Sequence, residues 1–156
     1  MGKELVRSKM IEIVTMQPEH VPAVALLEQE CFSAPWSANS ISREIGNPLS
    51  LWLVALSQGQ VVAYVGSQTV LGEADMMNIA VATSHRRCGI AQSLVEALVA
   101  QLREKEAYQL TLEVRASNDA AVALYEKLGF AQVGRRPNYY TKPKEDALIL
   151  RKEWSL

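Results

Sequence analysis

Two arginines, a glycine and an alanine fall in Ser84-His85-Arg86-Arg87-Cys88-Gly89-Ile90-Ala91-Gln92, where an apolar run gives way to a long helical repeat. At such a joint the first backbone N–H groups of the helix have no partner within it, and the positive end of the helix dipole lies beside them. That chemistry suits a phosphate. The residue sizes suit it too, since a side chain larger than a methyl at Gly89 or Ala91 would hold a pyrophosphate away from the amides. A small-residue turn before a helix is often only a turn; the adjacent arginines tip the balance toward an anion. The spacing excludes the commoner nucleotide loops, because there is no Gly-x-Gly-x-x-Gly and no Lys-Ser or Lys-Thr closing a glycine-rich run.

A second group with chemistry is Glu113. Leu110, Leu112 and Val114 alternate with Thr111, Glu113 and Arg115, so the two sets point to opposite faces of a strand. A carboxylate on a central strand is either the ion-pair partner of Arg115, on the same face two residues away, or a group that acts on a substrate. Tyr125 lies one residue after Leu124 and three before Leu128 on a helical repeat, where an aromatic rim of the core is the plain reading. Asn118 stands where a helix N-cap belongs. Cys31, Cys88, His20 and His85 are isolated from one another, with no CxxC and no second ligand at metal spacing, so neither a zinc site nor a disulfide framework is expected.

These groups need a scaffold to position them. Ile11 to Met16 reads as a strand, and Pro18 suits the first turn of a helix that runs to about Cys31. Ser33-Ala34-Pro35-Trp36-Ser37 breaks that helix. Ser37 or Asn39 caps a short helix toward Ile45, which Gly46-Asn47-Pro48 ends. Leu51 to Leu56, Val61 to Leu71 and Ala74 to Val81 form a meander of three antiparallel strands, turned at Ser57-Gln58-Gly59-Gln60 and at Gly72. Ile90, Leu94, Leu98 and Leu102 recur every four residues, with Ala91, Val95 and Ala97 widening the stripe into a helix face. A strand from Gln109 to Val114 follows, then a helix capped within Ser117-Asn118-Asp119 and closed at Gly129. Phe130 to Val133 and Ala147 to Leu150 supply the last two strands. Strand, helix and strand from Met76 to Val114 make a βαβ unit, which requires a parallel pair with a right-handed crossover. The expected fold is α/β, or α+β, with a mixed and mostly antiparallel sheet, one parallel pair and about four helices.

Arg86-x-x-Gly89-x-Ala91 resembles the Arg/Gln-x-x-Gly-x-Gly/Ala signature of the GNAT acetyltransferases, whose backbone amides hold the pyrophosphate of CoA. Within that superfamily, Asn78-Ile79-Ala80-Val81, Leu112-Glu113-Val114-Arg115-Ala116-Ser117-Asn118 and Ala123-Leu124-Tyr125-Glu126-Lys127-Leu128-Gly129-Phe130 are similar to the RimI-type ribosomal-protein alanine acetyltransferases. Arg136-Pro137-Asn138-Tyr139-Tyr140 and Glu145-Asp146-Ala147 extend the match, and eukaryotic and archaeal N-terminal acetyltransferases share a similar ending. The resemblance implies the GNAT acyl-CoA N-acyltransferase fold over nearly the whole chain.

It also implies roles. The backbone of Ile79, Ala80 and Val81 would pair with the pantetheine arm as an added strand does. Arg86, Arg87, Cys88, Gly89, Ile90, Ala91 and Gln92 would surround the pyrophosphate, and Asn118 would be a side-chain partner to CoA as an alternative to a plain cap. Glu113 would be the general base and Tyr125 the acid that stabilises or protonates the departing CoA thiolate. Pro35, Trp36, Tyr139 and Tyr140 would flank the entrance for an acceptor peptide; two aromatics merely ending a strand is the other reading of the tyrosine pair. The implied reaction is acetyl transfer from acetyl-CoA, with no metal, to the N-terminal alanine of ribosomal protein S18. The alternatives are a GNAT enzyme with broader N-terminal, lysine or small-amine specificity, and a non-catalytic acyl-CoA-binding module, against which the presence of both Glu113 and Tyr125 speaks.

Composition bounds the rest. The 156 residues fit one domain, with 1–9 expected as a loose extension; 49% are apolar and 21% charged, as in a folded globular protein. Sixteen basic and seventeen acidic side chains leave a net charge of −1, so no global field draws the chain to nucleic acid or to an anionic membrane, and an anion must be bound locally. The charged N-terminus lacks the apolar core of a signal peptide. A cytoplasmic protein, monomeric or weakly dimeric, is the expectation.

Overall fold

The computed structural model describes residues 10–155, so the expected N-terminal extension at 1–9 lies outside the described residues. The chain runs through β1 (Ile11–Thr15), α1 (Val21–Cys31), α2 (Ala38–Ile45), β2 (Ser50–Ser57), β3 (Gln60–Val70), β4 (Glu73–Val81), α3 (Ile90–Glu104), β5 (Gln109–Arg115), α4 (Asp119–Lys127), β6 (Ala131–Thr141) and β7 (Lys144–Glu153). Short 3-10 turns at Pro18–His20 and Thr83–His85 precede α1 and α3. The seven strands form one sheet in the order β1-β2-β3-β4-β5-β7-β6. It has the mixed α/β architecture expected.

Two hairpin turns set the meander. Gln58 and Gly59 have φ of 51° and 78°, and Leu71 and Gly72 have 52° and 82°. Two successive positive φ values mark the primed turn whose twist matches that of the flanking strands. At Gly72 a Cβ would also lie 2.8 Å from the Tyr108 ring. The crossover through α3 makes β4 and β5 parallel, with Glu73, Ala74 and Asp75 paired to Gln109, Leu110 and Thr111. That ladder ends after three pairs.

The last two strands are far longer than Phe130–Val133 and Ala147–Leu150. Gly134 and Pro137 read as strand breakers, yet β6 ends the sheet order, where a proline costs no ladder bond on its open side. Register shifts between Gln132 and Gly134 and between Arg136 and Tyr140 absorb both residues. Tyr139 and Tyr140 therefore lie within a strand.

The chain divides into two compact units, one made of residues up to Ser67 with Asn78–Leu98, the other of Gln68–Met77 with the chain from Val99 onward. In the first, Val24, Leu27, Ile41, Leu53, Val54, Val65, Ile90, Leu94 and Leu98 are buried. In the second, Leu102, Leu110, Leu112, Phe130 and Leu150 are buried. The four-residue repeat of α3 is thus an apolar stripe contributing to both cores.

Candidate active site

The turn before α3 has the geometry its sequence promises. Arg87 and Gly89 have φ of 63° and 77°, and the first backbone bond of the helix runs from Ser93 N–H to Gly89 O at 3.1 Å. The N–H groups of Ile90 and Ala91, in the first helical turn, therefore precede the intrahelical ladder. A Cβ on Gly89 would meet nothing within 4 Å; its backbone conformation is what requires glycine. Arg86 donates from Nε to Val81 O at 3.2 Å and lies 3.7 Å from Cys31 Sγ, which ties the loop back to the end of β4. Cys88 is exposed, its thiol directed to Arg86 O at 3.5 Å.

In the same unit the Pro35–Trp36 loop is fixed by a buried carboxylate. Glu28 is 0% exposed and accepts from Trp36 N–H at 2.8 Å, from Asn78 Nδ2 at 2.9 Å and from the Tyr64 hydroxyl. Burial first, and then this carboxylate, raise the Tyr64 phenol far above its ordinary value. Trp36 also packs edge-on against Trp52, with centroids 5.4 Å apart, and Trp52 stacks on Tyr64 at 5.8 Å. Gly66 makes room for the stack, since a Cβ there would fall 2.3 Å from the Trp52 ring. One residue of α1 thus links the loop after that helix to Asn78, directly before Ile79-Ala80-Val81.

The second unit carries the polar face of β5. Glu113 does not pair with Arg115. Arg115 binds Glu145 at 3.3 Å, donates to the backbone oxygens of Pro143 and Lys142, and lies 4.3 Å over the Tyr140 ring. The cation beside Glu113 is Arg136, with Nε 3.6 Å from Oε1. The other oxygen, Oε2, is buried and has no hydrogen-bond partner among the described residues. Tyr139 completes the surroundings: hydrogen bonding to Glu113 first, then desolvation, raise its phenol above the ordinary value. Burial and then Glu113 push Tyr140 up to about 12. Both tyrosines near the end of β6 thus feel the Glu113 carboxylate.

Tyr125 is buried and packs edge-on against Phe130 at 5.5 Å. Burial, then the neighbouring Tyr140, push its phenol up to about 12, so it is protonated at neutral pH. Asn118 is a true N-cap, its Oδ1 accepting from Ala121 N–H at 3.2 Å. The preceding turn is held by Glu145, which accepts from Ser117 N–H at 2.6 Å.

Glu28, Arg136 and Asp75 escaped the sequence reading. Glu28 had a signal, a charge within the apolar stripe that Val24, Leu27 and Cys31 make on α1. Asp75 pairs in register with Thr111, which puts its side chain on the Glu113 face; burial first and then Glu113 raise its carboxyl above the ordinary value. Arg136 stands in the Arg136–Tyr140 stretch that extends the resemblance, yet nothing in the sequence pairs it with Glu113, since only the shifted register of β6 brings the two together. Among the described residues no group of three His, Cys, Asp or Glu side chains could hold a metal, and no helix is long and apolar enough to cross a membrane.

Known proteins share this arrangement of elements. The ribosomal protein bS18-alanine N-acetyltransferase of Escherichia coli strain K12 is 38% identical over 143 residues, covering 90% of this chain and 96% of its own. The putative enzyme of the same name from Bacillus subtilis strain 168 is 37% identical over 136 residues, covering 86% and 90%. The crystal structure of the ribosomal-protein-S18-alanine N-acetyltransferase from Escherichia coli superposes with a TM-score of 0.86 at 36% identity, over 94% of this chain and 96% of that one. The family model described as acetyltransferase (GNAT) family matches residues 21–130. With the helix-start loop, the parallel β4–β5 pair and these relatives in agreement, the chain belongs to the acetyltransferase (GNAT) family.

Proposed function

We propose that this acetyltransferase transfers the acetyl group of acetyl-CoA to the N-terminal α-amine of a protein, foremost the N-terminal alanine of ribosomal protein S18 in the cytoplasm. The observation that carries the reading is Glu113: a carboxylate on the polar face of β5, ringed by Tyr139, Tyr140 and Arg136, with one oxygen free of any partner among the described residues. The names of the relatives supply the acceptor.

The residues present fit acetyl-CoA. The amides of Ile90 and Ala91 and the cations Arg86 and Arg87 suit a pyrophosphate, with Cys88 and Gly89 shaping the turn. Ile79, Ala80 and Val81 lie past the end of the β4–β5 ladder at Asp75 and Thr111, which suits backbone pairing with a pantetheine arm. Asn118 uses Oδ1 as the cap and keeps its amide N–H groups for CoA. Pro35 and Trp36, fixed by Glu28, and Tyr139 and Tyr140 receive the acceptor.

Catalysis is direct. The neutral amine nitrogen attacks the thioester carbonyl carbon, and Glu113 takes the proton that this nitrogen sheds as the C–N bond forms. The backbone N–H near Val81 steadies the oxyanion. The C–S bond breaks, the acetyl group stays on nitrogen, and the sulfur leaves as a thiolate. With its phenol at about 12 against a thiol near ~8.5, Tyr125 serves that thiolate as a hydrogen-bond donor while solvent delivers the proton. A free α-amine with pKa ~7.7–8.0 is already roughly 10–20% neutral at pH 7, so a carboxylate base suffices for it.

The test is a panel of acceptors with purified protein and acetyl-CoA: an S18-like peptide beginning with alanine, peptides with other N-termini, an N-blocked lysine peptide and spermidine. The alanine peptide is expected to have the highest kcat/KM. Faster acetylation of lysine or spermidine overturns the acceptor assignment and leaves the family membership standing.

A further inference from the structure

The polar face around Glu113 carries both signs of charge, with Glu73 two residues from Asp75 on the same face of β4. Asp75 and Glu113 supply two carboxylates, and Arg136 and Arg151 supply two guanidinium groups, both of which act on the Asp75 carboxyl. Arg151 is engaged with Thr111, its Nε 2.9 Å from Oγ1. Arg136 is the cation nearest Glu113, at 3.6 Å, with more than half of its side chain exposed and its guanidinium 5.9 Å from the centre of the Tyr139 ring.

We propose that Arg136 is a specificity-determining residue, a charge filter that turns the acceptor site toward α-amines and away from lysine side chains and polyamines. The proposal rests on Glu113 being the carboxylate that receives the acceptor. A cation beside that carboxylate penalises an acceptor arriving as an ammonium and leaves a neutral amine untouched. An α-amine at pKa ~7.7–8.0 offers a neutral fraction of roughly one in five to one in ten at neutral pH, whereas lysine at ~10.4 offers about one molecule in a few thousand. Lysine must therefore approach charged and meet Arg136. Spermidine meets it with several charges.

The position of Arg136 is imposed by the fold. Asp146 accepts from Arg135 Nε at 2.7 Å and from Asn138 N–H at 2.8 Å, pinning the chain on either side of Arg136 where the β6 register shifts. Arg136 is thereby held in place, with Glu113 as its ion-pair partner at 3.6 Å.

The experiment compares the wild-type protein with Arg136→Gln and Arg136→Lys, measuring kcat/KM at pH 7 for the alanine peptide, the N-blocked lysine peptide and spermidine. Removing the cation from this partly exposed pair is expected to lower the preference for the alanine peptide over lysine by about three- to fivefold and to lower it further against spermidine. Arg136→Lys, which keeps the charge, is expected to keep the wild-type preference. Both variants are to be checked for an unchanged KM for acetyl-CoA and an unchanged thermal midpoint. A preference that is the same in all three proteins, or that falls equally in the Lys and Gln variants, overturns the filter. A wild-type protein that already favours lysine or spermidine overturns the acceptor reading instead, so the two failures are distinct.

Discussion

The carboxylate of Asp146 accepts the backbone N–H of Asn138 at 2.8 Å across the β6–β7 pair. Asn138 has φ of 54°, a left-handed conformation that asparagine tolerates better than most residues. The bond therefore fixes the bend that follows Pro137 and leads into Tyr139. With Arg135 on its other oxygen at 2.7 Å, Asp146 shapes the stretch of β6 that meets Glu113. Its neighbour Glu145 does the same for the turn before α4. The pair Glu145-Asp146 is thus a positioning device.

These contacts hold the Asp146 carboxyl below its ordinary value, chiefly through the Asn138 N–H and then Arg135. A depressed folded-state value means that the contribution to stability is present above the unfolded value of ~3.9 and is lost as pH falls through the folded one. Asp146→Asn should be less stable than wild type at pH 7, with the gap closing as the pH falls below the unfolded value of ~3.9 and the carboxylate is protonated. Urea midpoints across pH read this directly. A gap that is constant with pH would show that the charge is not what matters there.

Glu113→Gln and Tyr125→Phe should each lower kcat with little change in the KM for acetyl-CoA. Loss of a general base costs about 10²- to 10⁴-fold, and loss of the phenol's hydrogen bond about tenfold or more. The Gln variant should recover part of its deficit as pH rises past ~8, where the α-amine deprotonates unaided. Steady-state kinetics over pH 6–9 checks this, and near-normal activity of both variants at pH 7 would remove their assigned roles.

Cys88 provides a readout of the phosphate loop. It is exposed, one residue before Gly89 and next to Arg87. Iodoacetamide should label it in the free protein, and saturating CoA should slow that labelling about tenfold or more, because bound ligand covers the loop. Peptide mapping after timed alkylation distinguishes it from Cys31. Equal rates with and without CoA would place the pyrophosphate elsewhere.

Glu28→Ala should destabilise the protein by about 3 kcal/mol or more, since it strips buried partners from the Tyr64 hydroxyl, the Asn78 amide and Trp36 N–H at once. Glu28→Gln, which keeps most of the shape, should cost less. Urea unfolding measures both. Equal stability of wild type and the Ala variant would contradict the buried hub.

Several features followed from the sequence because their physics is local. The stripe Ile90, Leu94, Leu98 and Leu102 gives α3, Ser37 and Asn118 cap their helices, and the βαβ order compels the parallel pair of β4 and β5. The cation-lined helix start and the carboxylate on β5 are equally local, so the resemblance to acetyltransferases could attach to them. The tertiary structure alone decided the partners. Glu113 and Arg115 are close in sequence on one strand face, yet Arg115 is claimed by Glu145 and the β6–β7 turn, while Arg136 reaches Glu113. Glu28 meets Tyr64 and Asn78 across 36 and 50 residues. Such contacts depend on strand register and on bulges that a one-residue shift would redirect to the other face. Gly134 and Pro137 show the same limit: by propensity they end a strand, and only their place on the edge strand, with shifted register, lets β6 continue through them to Tyr139 and Tyr140.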